Sequence, residues 1–191
     1  MINRISEYLW SMAGRKWFFI ALVGYLLMGA VVMPLCAKWI SDVAGKPTEI
    51  LDLQFGGYTT EKAHNIIAVY GDEGRALVVK VSAIADSIYP IAYTFFFVIT
   101  IAWIYKAGNR HGVVYNHLHL FPFLIMVVDY CENFFLIRMI GEFPNLSERT
   151  VLIASFFTNV KWSMVVILLL MFFGGLGLLL ADKLKNRRNS A

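Results

Sequence analysis

Residues 81–105 read VSAIADSIYPIAYTFFFVITIAWIY, with no Lys or Arg and a single acid, Asp86. At 1.5 Å of rise per residue, this run is long enough to cross the roughly 30 Å of hydrocarbon in a bilayer. Three further blocks have the same character: 17–36, 118–139 and 151–181. The last is longer than a crossing needs, so it must tilt or project beyond the bilayer. Backbone in hydrocarbon must satisfy its own hydrogen bonds, so each block is read as a helix. The expected fold class is therefore all-α. It is a single domain, 1–191, built as an integral membrane bundle of four transmembrane helices, with a short helix in the long first loop, 37–80.

Composition agrees. The chain has 191 residues, 59% of them hydrophobic and 16% charged. A soluble domain is nearer ~45–50% apolar and ~25% charged. The net charge of +4 sits largely in Lys183, Lys185, Arg187 and Arg188, just after the fourth block. Such a run anchors a helix end at anionic lipid headgroups. Removing the helices leaves no basic face, so no nucleic-acid partner is expected. The first block follows Arg4, Arg15 and Lys16, but it is too long for a signal-peptide core and no small-x-small site follows it. It reads as a retained signal-anchor helix.

Orientation follows from Lys and Arg near the helix ends. One side would hold Arg4, Arg15, Lys16, Lys106 and Arg110 with the C-terminal run. The other carries Lys38, Lys46, Lys62, Arg75, Lys80, Arg138 and Arg149 on longer loops, diluted by acids. The expected location is the cell membrane, multi-pass, with both termini cytoplasmic and loop 37–80 outside. Part of that loop is patterned. Thr59 and Thr60 can cap a helix, Ala63, Ile66, Ile67 and Tyr70 recur at helical spacing, and Gly71 suits a left-handed stop before Asp72 starts the next helix. That short helix would cap the bundle or lie on the lipid surface.

Ionisable residues inside the apolar blocks carry the functional signal. Asp86, Asp129, Glu132 and Lys161 each lie within a block, where a charge costs roughly 2.5–3.5 kcal/mol to insert. With the second and fourth helices running one way and the third the other, all four fall roughly 8–15 Å below the face that bears the long loop. Asp129, Glu132 and Asn133 share one face of the third helix at i, i+3 and i+4. Asp86, Tyr89, Pro90 and Tyr93 share a face of the second, where Pro90 frees the carbonyl of Asp86. Thr158, Lys161 and Trp162 mark a face of the fourth. Turned inward, these faces make a polar pocket with candidate ligand-binding residues Asp86, Tyr89, Tyr93, Asp129, Glu132, Asn133, Lys161 and Trp162. Tyr130 and Asn159 are further wall candidates. Three acids against one Lys leave an acid to be protonated, to hold a cation, or to act in catalysis. The competing explanation is a polar network that holds helices together.

Weaker features are Cys36 and Cys131, read as small hydrophobes, and His111, His117 and His119, too incomplete a set for zinc. No metal or cofactor is expected. Gly174, Gly175 and Gly177 would let helices approach closely. The stretch Asp52–Tyr58, DLQFGGY, is a turn signal that would close the pocket from outside or serve as a plain turn.

The helix order, the long first loop, and an acid before proline in the second helix, followed by Pro90-Ile91-Ala92-Tyr93-Thr94-Phe95, together resemble the EXPERA group of sterol isomerases and the sigma-2 receptor. The resemblance implies that Asp86 matches that group's second-helix acid, which holds an amine-like ligand or a carbocation. The chain departs from the group in having no intramembrane His, in Lys161, and in placing Asp52-Leu53-Gln54 well past the first helix. The expected function is a membrane protein whose acidic pocket binds a small hydrophobic or lipid-like ligand and opens to the non-cytoplasmic side. One alternative is a proton-coupled transporter or carrier subunit, which with so few helices would work as a homo-oligomer. The other is a non-catalytic accessory subunit. Membrane lipids are the expected partners throughout.

Overall fold

The structure, a computed structural model, describes residues 2–108 and 115–189. Among the described residues the secondary structure is entirely helical. The helices are α1 (Ile2–Met12), α2 (Arg15–Leu26), α3 (Met33–Ala44), α4 (Thr60–Ala107), α5 (Tyr115–Leu118), α6 (Phe121–Gly141) and α7 (Glu148–Asn189). A π-helical segment, Leu27–Val32, joins α2 to α3 without a break, and a 3-10 turn at Leu51–Leu53 marks the loop after α3.

The first apolar block therefore extends further than 17–36, as one continuous helix of 30 residues from Arg15 to Ala44. It stops at Gly45, whose φ of 71° is the left-handed conformation that ends helices. The irregular part of the long loop shrinks to 45–59, because α4 starts at Thr60. The Thr59 hydroxyl accepts a hydrogen bond from the Lys62 amide at 3.2 Å, the expected N-terminal cap. The expected short helix is the first stretch of α4. Gly71, with φ 65° and ψ 179°, kinks the helix there, and the chain continues directly toward residues 81–105.

Three helices are long and apolar enough to cross a membrane: Arg15–Ala44, Thr60–Ala107 and Glu148–Lys185. The 21-residue α6 is interrupted by Asp129, Glu132 and Arg138. It packs between α4 and α7, and Asp129, Glu132 and Asn133 on its covered face are all buried. The 30-residue first helix packs along α4.

Two apolar clusters bracket a polar layer. At the loop end lie Leu77 of α4, Leu136 and Met139 of α6, and Val151 and Ala154 of α7, together with Ile67 and Tyr70. At the other end lie Tyr93 and Ile101 of α4, Ile125 of α6 and Leu168 of α7. Between them, in the same order on each helix, come Asp86, then Asp129 with Glu132, and Lys161. α6 therefore runs antiparallel to α4 and α7, and the polar groups meet at one level.

Of the three C-terminal glycines, Gly175 sits at a close helix contact. A methyl group there would stand 3.0 Å from Ile104 and 3.1 Å from the Tyr105 ring, whereas Gly174 and Gly177 face open space. His111 and Arg110 lie outside the described residues, as do the side chains of Arg187 and Arg188. His119 is buried against Trp10 and the Ser6 hydroxyl.

Candidate functional site

The polar layer is organised around Lys161. Its Nζ lies 2.5 Å from Glu132 Oε2, 3.6 Å from Asp129 Oδ1 and 3.7 Å from Asp52 Oδ2. The second oxygens of Asp129 and Glu132 are also engaged. Tyr93 donates its hydroxyl to Asp129 Oδ2 at 2.9 Å, and Thr158 donates to Glu132 Oε1 at 2.6 Å. These donors come from α4 and from α7, so the network ties α6 to both neighbours. Buried ions are tolerated only when paired and hydrogen-bonded in this way.

Asn133, one turn along from Asp129, donates its side-chain amide to the backbone carbonyl of Asp86 at 3.0 Å. That is the carbonyl which Pro90 cannot reach with a hydrogen bond. A neighbouring helix supplies the missing donor, the usual repair at a proline in an apolar helix. Tyr130 does the same for the next carbonyl, Ser87, at 2.9 Å.

Asp86 differs from the other acids. Its side chain is buried, the residue being 6% exposed. Among the described residues its carboxylate has neither an ion pair nor a hydrogen bond. It faces a cavity of about 500 Å³, within the size range of sites for small molecules. Asp129, Tyr89, Tyr93, Lys161 and Trp162 also line this cavity. Its remaining wall is mostly apolar, from Tyr25, Met33, Ile125 and Leu168 among others.

Six of the eight residues proposed from sequence thus border one cavity. Glu132 and Asn133 belong to the same layer but stand behind it, Glu132 fully buried against Lys161 and Asn133 against the α4 backbone. Neither Tyr130 nor Asn159 lines it; Asn159 bonds the Ser155 carbonyl of its own helix at 3.1 Å.

Asp52 is the residue that the helical pattern misses. The 3-10 turn drops it into the polar layer, where it is 9% exposed. The Trp162 indole N–H donates to the Asp52 carbonyl at 2.9 Å, and the Phe55 ring lies 4.0 Å from the Trp162 ring. The Tyr58 amide then donates to Ser155 Oγ at 2.9 Å. Gly57, with φ 77°, packs so closely on Ser155 and Asn159 that a methyl group would overlap both side chains. The DLQFGGY stretch is therefore a fitted cover over the cavity. Burial there holds the Tyr58 phenol above its ordinary range.

No protein-family model, curated protein or solved structure matches this chain.

Proposed function

We propose that the chain is a multi-pass membrane protein whose four long helices cross the bilayer and enclose a pocket for a small hydrophobic or lipid-like ligand. The surface supports the membrane reading. On every long helix the apolar residues face outward: Val23 and Leu35, Ile84 and Ile91, Leu124 and Phe134, Phe156 and Leu170 are all more than half exposed. Asp86, Asp129, Glu132 and Lys161, the ionisable residues inside the apolar stretches of α4, α6 and α7, are buried. This inverts the usual order of a soluble protein and suits a lipid surroundings. It also lets α6 cross despite its charges, because its outer face is apolar. The Lys and Arg distribution favours cytoplasmic termini, with the cover loop outside.

One observation carries the pocket reading: the buried, unpartnered carboxylate of Asp86 facing an otherwise apolar cavity. A purely structural network gives each buried acid a cation, as Lys161 does for Asp52, Asp129 and Glu132, and gains nothing from Asp86. The site holds Asp52, Asp86, Asp129 and Glu132 against Lys161, so acids are in excess. The ligand end that fits beside Asp86 is a hydrogen-bond donor or a cation. Its body lies on the apolar wall. The EXPERA resemblance belongs to the same proposal, with Asp86 ahead of Pro90 as the anchoring acid.

A proton-conducting role finds less support. Directly beyond the polar layer the bundle interior is apolar: Val98, Ile99, Ile101, Ala102 and Ile125 are fully buried.

The test is a thermal shift with hexadecylamine as probe. Bound ligand at about a hundredfold over Kd stabilises by about 2.7 kcal/mol, so the unfolding temperature of the native chain rises. Asp86→Asn keeps its own unfolding temperature and shows no such rise. An equal rise in both proteins refutes the anchoring role of Asp86.

A further inference from the structure

The cavity has one closed end and one open side. Its closed end is the cover: Ile50, Leu51, Asp52 and Leu53 line it there. That segment is held by the Asp52–Lys161 ion pair, the Trp162–Asp52 hydrogen bond, the Phe55–Trp162 ring contact and the Tyr58–Ser155 hydrogen bond. The close fit of Gly57 on α7 leaves no slack beneath it.

The open side lies between the first helix and α7. Gly29, Met33 and Pro34 border the cavity from one side, and Val165 and Leu169 from the other. Yet the first helix packs along α4 and scarcely touches α7. The void therefore continues between the two helices to the outside of the bundle, and Pro34 and Leu169 at its rim are exposed. Every residue of this rim is apolar. An apolar slot on a lipid-facing flank admits molecules dissolved in the lipid and repels hydrated ones.

The first helix is locally softened at this slot. Its π-helical segment Leu27–Val32 has no buried residue, and π turns mark functional positions in helices more often than ordinary turns do. Gly29 within it lets the Tyr89 ring approach; a methyl group there would stand 3.3 Å from that ring.

We propose that the cavity is loaded sideways from the lipid phase, through the slot between the first helix and α7. Its ligand is then a membrane-dissolved amphiphile: a narrow apolar body that threads the slot and a hydrogen-bond-donating head that reaches Asp86. The proposal rests on the pocket reading and adds both the route and the ligand class. It replaces access from the aqueous side with access from the bilayer.

The experiment uses the full chain in lipid vesicles, octadecylamine carrying a mid-chain diazirine as probe, and unlabelled octadecylamine as competitor. Adducts are mapped by peptide mass spectrometry after illumination. The expected result is competable labelling of Met33, Val165 and Leu169. Val165→Trp fills the slot and lowers that labelling by about tenfold, the effect of overpacking a tight space. Leu169→Trp, at the exposed rim, does the same without straining the core. Phe55→Ala removes a ring that holds the cover and leaves the labelling rate unchanged. Faster labelling in Phe55→Ala, with no effect of either slot variant, overturns the lateral route while leaving the pocket in place. Absence of competable adducts in the native chain overturns the pocket itself. Circular dichroism of each variant separates these outcomes from misfolding.

Discussion

At the scale of single residues, the chemistry separates Lys161 from Asp86. Lys161 neutralises a crowd of acids: Glu132 at 2.5 Å, Asp129 at 3.6 Å and Asp52 at 3.7 Å. Removing one partner of a buried pair leaves the other charged and unsolvated, a loss of about 3–5 kcal/mol. Lys161→Met is expected to destabilise the chain by about that amount in chemical unfolding from detergent. Adding Glu132→Gln removes one stranded charge and restores at least ~1 kcal/mol; strict additivity of the two changes contradicts the coupling. Asp86→Asn behaves in the opposite way, since the carboxylate has no protein partner to lose. Asp86, Asp129, Glu132 and Lys161 were legible in the sequence because a charge inside an apolar run is rare and helical periodicity shows its facing. Asp52 was not legible as part of this site. It sits in a turn without periodicity, and its hydrogen-bond partner Trp162 is 110 residues away along the chain.

Among the elements, α6 is the one whose place sequence reading and structure describe differently. Its apolar length marks it as a crossing, yet it carries three charges in 21 residues. The structure resolves the conflict by covering its charged face with α4 and α7. The end of α6 is tied to α7 by Glu142, which accepts hydrogen bonds from the Ser147 amide at 3.1 Å, the Arg138 Nε at 3.1 Å and the Thr150 hydroxyl at 2.9 Å. Slight desolvation raises the Glu142 pKa, but these bonds outweigh it and hold the carboxyl below its ordinary range. A lowered folded pKa gives stability that is present above the unfolded value, near ~4.3, and is lost as pH falls through the folded value. The unfolding-temperature advantage of the native chain over Glu142→Gln should therefore persist at pH 7 and shrink progressively as pH falls below about 4.3. An advantage that grows in acid contradicts this. At the other end, Gly175 lets α7 approach Ile104 and Tyr105. Gly175→Val should cost about 1–3 kcal/mol by overpacking, with Gly174→Val near neutral, as measured by thermal unfolding. The glycine cluster was visible in the sequence, but which glycine bears the contact depends on how α7 faces α4.

At the scale of the whole molecule, the common level of the ionisable residues is readable from the sequence, because depth follows from position along each helix; the two apolar clusters that bracket them are seen only in the structure. So are the extent of the first helix and the cover over the cavity. A helix end beyond the apolar block is set by Gly45, and a loop that packs is set by distant partners such as Ser155. On the proposed topology, cysteines at Lys38 and Lys62 should react with a charged, membrane-impermeant maleimide added outside intact cells, and cysteines at Lys106 and Lys183 only after lysis. The central claim is that the cavity beside Asp86 takes a hydrophobic ligand. Native mass spectrometry of the chain released gently from its own membranes tests it most directly. A discrete bound mass, other than bulk phospholipid, is expected on the native chain and is lost from an Asp86→Asn variant that melts at the same temperature. The same adducts on both proteins, or none on either, would contradict that claim.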